Sequence, residues 1–171
     1  MPTLKKYLSS LDKTQIIDFV TEMYKNSKPA KQYIDHFLKP ESGKAVLQKY
    51  KKIIEKEFYP IKPSDKNFKF SVANKAIKEF SELKPDPIYL AELMLFLPEI
   101  ASRFTHDFGD MYESFYIGVE KSYQKALSLI SKHDLLDHFK AQALLCFEYS
   151  QDCGWGFGDA MGAIYYNYYE E

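Results

Sequence analysis

The chain has 171 residues, 46% hydrophobic and 27% charged, with a net charge of −1. That length suits one domain over 1–171 with a real core, since a chain of about 150 residues buries roughly 68–70% of its unfolded surface. The longest apolar run, Leu93–Pro98, falls far short of the roughly 20 residues that span a bilayer, and no apolar leader follows Met1–Lys6, so neither a membrane protein nor a secreted one is expected.

Thr3 can cap a short first helix through about Ser9. Asp12, with Gln15 three residues on, is a capping box, and Leu11 with Ile16 is the matching hydrophobic staple. That helix runs to about Asn26 with Ile16, Phe19, Val20, Met23 and Tyr24 on one face. Pro29 fits the first turn of a third helix. A fourth, Lys44–Phe58, repeats Val46, Leu47, Tyr50, Ile53, Ile54 and Phe58 at spacings of three and four and stops before Pro60. Pro60–Pro63 is not helical, because a residue before proline is pushed toward extended backbone. A fifth helix over 71–83 turns Val72, Ala76, Ile77 and Phe80 inward. Asp86-Pro87 then joins an acidic N-cap to a proline at the first helical position. Ile88–Leu97 is the most apolar segment and is expected at the centre of the fold, with Pro98 kinking or dividing its helix. Asp110 and Glu113 read as the capping pair of a long helix to about Lys132, and Asp134 as the cap of the next, to about Gln151. Asp159–Tyr169 closes the chain as a tyrosine-rich helix.

No strand pair is visible. The expected fold is all-α: antiparallel helical hairpins, as an irregular superhelical, repeat-like array of about eight or nine helices. One internal echo exists. Phe108-Gly109-Asp110 and Phe157-Gly158-Asp159 share a tripeptide in which glycine would end one helix and aspartate cap the next.

Lys5-Lys6-Tyr7-Leu8-Ser9-Ser10-Leu11, Phe108-Gly109-Asp110 and Gly154-Trp155-Gly156-Phe157 together resemble an uncharacterised family of small bacterial proteins, a domain of unknown function, over nearly the whole chain. The resemblance implies a bacterial, cytoplasmic setting and no known activity. No catalytic residue can be carried over from it.

The stretch Cys153–Asp159 holds the only tryptophan and three of the seven glycines. It is no dinucleotide fingerprint, because the glycine spacing is wrong and it follows a helix rather than a strand. No cofactor is implied. It reads as a tight helix–helix turn with Trp155 and Phe157 packed on neighbours, or as a rim presenting Trp155, Phe157, Asp159 and Cys153 to a ligand or partner. Cys153 needs a histidine base in reach to act as a nucleophile. Cys146 and Cys153 lie about 10 Å apart along a helix, too far to bridge, and read as reduced thiols.

Histidine and carboxylate recur at helical spacing in His133 with Asp137 and in His106 with Asp110, weak candidates for a metal. Opposite helix-end dipoles explain the same residues. Asp107-Phe108-Gly109 spells a kinase tripeptide without any of the accompanying motifs.

Residues 1–84 carry 18 Lys against 10 Asp and Glu; residues 85–171 carry five basic residues against 14 acidic ones. The basic half is a candidate polyanion face through Lys49, Lys52, Lys56, Lys62, Lys66 and Lys69, interleaved with aromatics. Against it stands the scarcity of arginine, the residue that holds phosphate bidentately. The function expected first is a non-catalytic helical scaffold or protein-interaction domain with a protein partner. Nucleic-acid or other polyanion binding comes second. An enzyme or ligand site near Cys153–Asp159 comes third, since no catalytic motif is present.

Overall fold

The computed structural model describes residues 3–38, 42–60 and 68–169; Lys62 and Lys66 lie outside them. Among the described residues there are nine helices and no strand, so the chain is all-α. Its contacts form two units, Met1–Ser42 and Gly43–Glu171.

The first unit holds α1 (Leu4–Leu8), α2 (Lys13–Asn26) and α3 (Lys28–Leu38). Its helix starts are local. Thr3 Oγ1 accepts the Lys6 N–H at 3.4 Å. The capping box forms in full: the Gln15 N–H donates to Asp12 Oδ1 at 2.8 Å, and the Asp12 N–H donates to Gln15 Oε1 at 3.0 Å. Helix α2 packs on α3, and Tyr24 donates to Asp35 Oδ1 at 2.7 Å. The apolar stripe of α2 is not a core, however. None of its residues is buried, and Val20 and Met23 stay exposed. A few short helices have too little surface to enclose such a stripe.

The second unit holds α4 (Ser42–Phe58), α5 (Phe70–Glu82), α6 (Pro87–Phe108), α7 (Glu113–Lys132), α8 (Leu136–Glu148) and α9 (Phe157–Tyr169). Helix α6 is central and packs on α5, α7 and α8, while α9 packs on α7 and α8. Asp86 caps α6 by accepting the Ile88 N–H at 3.0 Å. Pro98 does not divide α6, which continues as one helix to Phe108 with Pro98 buried. The proline removes one backbone hydrogen bond, and the packing of α6 on its neighbours outweighs that loss. Under α4, the ring of Phe58 meets those of Phe70 and Phe115 edge-on at 5.9 and 6.1 Å.

Two expected caps are not caps. The N-cap of α7 is Tyr112, without a side-chain bond, so Asp110 and Glu113 form no capping pair. Asp134 has φ +55 and belongs to the end of α7. Its N–H donates to Ser131 O and the Leu135 N–H donates to Ile130 O, the paired bonds of a Schellman motif. Aspartate takes the left-handed position that glycine usually fills.

The repeated tripeptide is not a structural repeat. Phe108 is the last residue of α6, whereas Phe157 is the first of α9. Gly109 is left-handed at φ +95 and ends α6 as expected. Gly158 lies inside α9, where an added Cβ would sit 3.1 Å from both Gln151 Cα and Ser150 O. One turn on, a Cβ at Gly162 would sit 2.9 Å from the Phe147 ring. These two glycines let α9 lie close on the end of α8.

Candidate functional site

The α6–α7 connection meets the α8–α9 connection at Asp110. The Gly154 N–H donates to Asp110 Oδ1 at 2.7 Å, and the Tyr116 hydroxyl donates to the same oxygen at 2.7 Å. The Met111 N–H donates to Tyr116 Oη at 3.0 Å. The Gly154 N–H, and then the Tyr116 hydroxyl, hold the Asp110 carboxyl below its ordinary range. Burial, followed by the Asp110 hydrogen bond among the raising causes, pushes the Tyr116 phenol up. Tyr116 is 1% exposed, so Asp110 supplies the partner that a buried hydroxyl needs. This is where the carboxylate goes instead of capping α7.

Gly154 sits against that carboxylate, since a Cβ there would meet Asp110 Oδ2 at 2.8 Å. Gly156 has space around it but needs φ +67. Between them Trp155 holds φ +60 and is 66% exposed. Two residues later Phe157 is fully buried and stacks on Tyr116, with centroids 4.4 Å apart. The expectation that Trp155 and Phe157 share one role is therefore split. Phe157 anchors the corner in the core, and Trp155 projects from it.

Beside this corner lies a cleft of about 370 Å³, lined by Thr105, His106, Gly109, Asp110, Tyr149, Asp152 and Cys153. Cys153 Sγ lies 3.2 Å from Thr105 Oγ1 and 3.7 Å from the Tyr149 carbonyl oxygen. The Thr105 hydroxyl donates to Ser102 O at 2.9 Å, which leaves the thiol proton for one of Cys153's two oxygen neighbours. The His106 ring lies tilted against that of Tyr149, with centroids 5.4 Å apart, and approaches Asp107 Oδ1 at 3.4 Å. Asp107 Oδ2 accepts the Tyr59 hydroxyl at 2.8 Å, and that bond chiefly lowers the Asp107 pKa. Burial, then the Asp107 bond, pushes Tyr59 up to about 12. Arg103 lies over the Tyr59 ring at 5.2 Å.

The cleft thus gathers Cys153, His106 and Asp110. Asp159 lies outside it, in the first turn of α9 beside Phe147 and Gly162. His133 is the C-cap of α7 and Asp137 lies in the first turn of α8, both exposed. Among the described residues no three metal-ligating side chains stand close enough to hold an ion. Lys49, Lys52 and Lys56 are exposed on α4, and exposed Lys69 precedes α5.

Sequence reasoning missed Tyr116, Thr105, Tyr149 and Asp152. Asp152 is next to Cys153 and could have been read with it. Nothing in the sequence pairs Tyr116 with Asp110, because the spacing of six residues belongs to no regular element.

A family model matches residues 2–168. The chain belongs to DUF6155, a family of unknown function. That assignment agrees with the resemblance read from the lysine-rich start, Phe108–Asp110 and Gly154–Phe157, and it brings no activity or site. No curated protein and no solved structure matches the chain. Among the described residues no helix is long and apolar enough to cross a membrane.

Proposed function

We propose that this DUF6155 member is a non-catalytic helical interaction domain of a bacterial cytoplasm, with the corner around Trp155 as its binding face. The observation that carries the reading is Trp155 itself: left-handed, 66% exposed, and two residues from a fully buried phenylalanine. A left-handed non-glycine residue costs about 1–2 kcal/mol, and strain of that kind concentrates where a chain has a task. Tryptophan is also the side chain most enriched at binding hot spots. Phe108 and Tyr112, on either side of the cleft-lining Gly109 and Asp110 in the chain, are exposed aromatics as well. Cys153 Sγ contacts a hydroxyl and a carbonyl oxygen, and among the described residues no hydrogen bond joins it to His106 across the cleft, which favours binding over nucleophilic catalysis. Two free thiols suit a reducing compartment.

The test is affinity capture with the full chain and Trp155→Ala. The variant should keep the wild-type melting temperature to within a few degrees and lose the captured partner. Retention of the partner at unchanged affinity sinks the reading.

A second reading, polyanion binding, is favoured by Lys49, Lys52 and Lys56. They recur at helical spacing on one face of α4, all exposed, and none is ion-paired among the described residues. Labelled oligonucleotide should bind at low salt and lose affinity in the triple Lys→Gln variant; no binding at low salt removes this reading.

A further inference from the structure

We propose that the apolar row on α2 is a homodimer interface, covered by the same row of a second copy of this chain. It uses none of the residues of the Trp155 face. No described residue of α1, α2 or α3 is buried, so the unit Met1–Ser42 has no core of its own. Helices this short are marginal in water and are held by packing of an apolar face. Yet the unit leaves Leu4, Tyr7, Ile17, Val20, Met23 and Leu38 between 42% and 65% exposed. Among the described residues these are six of the twelve exposed large hydrophobic side chains. The exposure is therefore concentrated here rather than scattered singly, which is the mark of an interaction site.

Neighbouring contacts place the row. At about 100° per residue, Val20 and Met23 fall on the arc of α2 between Phe19 and Tyr24, and Ile17 extends it. The Phe19 ring meets Tyr7 of α1 edge-on with centroids 6.2 Å apart, and the Tyr24 hydroxyl donates to Asp35 of α3. Helices α1 and α3 thus hold the two edges of the arc and leave its middle open. The charged residues between Ile16 and Tyr24, Asp18 and Glu22, fall on the opposite side by the same spacing.

Size and charge select the occupant. At roughly 200 Å² for each whole residue, the six side chains expose about 600 Å² per copy, and two copies would cover about 1,200 Å², the lower end of specific interfaces. An uncharged apolar face is complementary to itself about a two-fold axis, whereas a charged partner finds no complement on it. Two helical hairpins laid face to face also make a four-helix bundle, which encloses a core that two helices cannot.

The test is sedimentation velocity of the full chain at about 1 and about 200 µM, with amide exchange at the same concentrations. The chain should be dimeric at the higher concentration. Val20→Glu with Met23→Glu should raise the dimer Kd by about tenfold or more, while Glu22→Arg and Trp155→Ala leave it within experimental error. Exchange over residues 12–38 should slow as the dimer forms, and exchange in α6 should not; this readout needs no variant. A monomer at the higher concentration overturns the proposal, as does a dimer indifferent to Val20→Glu with Met23→Glu, weakened equally by Glu22→Arg, or dissociated by added salt. Slow exchange over 12–38 in a monomer would mean that something else covers the row. Binding of a monomer to phosphatidylglycerol vesicles, lost in the double variant, would make a lipid surface the occupant; either result also overturns the proposal.

Discussion

Phe157→Ala and Trp155→Ala lie two residues apart and should differ by about 1–4 kcal/mol. Phe157 has no exposed surface and stacks on Tyr116 at 4.4 Å with a 29° angle between the rings. Truncating a buried phenylalanine leaves a cavity and costs about 3–5 kcal/mol. Trp155 buries only a third of itself, since 66% is exposed. A large aromatic has about 150–250 Å² to bury, so a third at about 25 cal/mol/Å² contributes only about 1–2 kcal/mol. Trp155→Gly should lose less than Trp155→Ala, because glycine relieves the left-handed backbone by roughly 1 kcal/mol. Urea unfolding followed by far-UV circular dichroism measures all three, since the Trp155 variants have no tryptophan signal. At about 2–4 °C per kcal/mol for a chain of this size, Phe157→Ala should melt roughly 6–20 °C below wild type and Trp155→Ala only a few degrees below. A Trp155→Ala variant as unstable as Phe157→Ala would refute the split between anchor and projection.

Gly158→Ala should cost about 1–3 kcal/mol, because its Cβ meets backbone that cannot yield. Gly162→Ala should cost less, since the obstacle is the Phe147 ring; urea midpoints that rank them the other way would contradict the close α8–α9 packing. Asp110→Asn should destabilise the protein at neutral pH. The Asp110 pKa is depressed in the fold, so its contribution is present above the ordinary carboxylate range and is lost as pH falls through the folded value. The difference in melting temperature between wild type and Asp110→Asn should therefore shrink on acidification, and a gap that widens would contradict the Gly154–Asp110–Tyr116 bonding. Cys146 is wholly buried and burial raises its thiol pKa, whereas Cys153 is half-buried. A disulfide reagent should label Cys153 first in the native protein and Cys146 only on unfolding, as peptide mapping would show.

The helices were largely legible because their signals are short-range. Asp12 with Gln15 and Asp86 with Pro87 act within a few residues, and no distant group competes for them. The Asp110 and Asp134 caps failed for two different reasons. Asp134 is drawn into the end of α7, where one left-handed residue satisfies two terminal carbonyls. Asp110 is claimed by a buried phenol and by a backbone N–H 44 positions away. The candidate site was half legible. Glycines and the lone tryptophan marked Cys153–Asp159, but the sequence could not say which ring faces inward.

What the sequence determined by itself was the all-α class, most helix starts and the place where the chain turns oddly. Those follow from hydrogen bonds and apolar spacings that close within one or two helical turns. Only tertiary structure decided what the four glycines from Gly154 to Gly162 are for. Gly154 makes room for Asp110, Gly156 takes a left-handed turn, and Gly158 and Gly162 seat α9 against α8. Sequence marks where a side chain is missing; the reason lies in the neighbour that would collide with one, and packing alone brings that neighbour there.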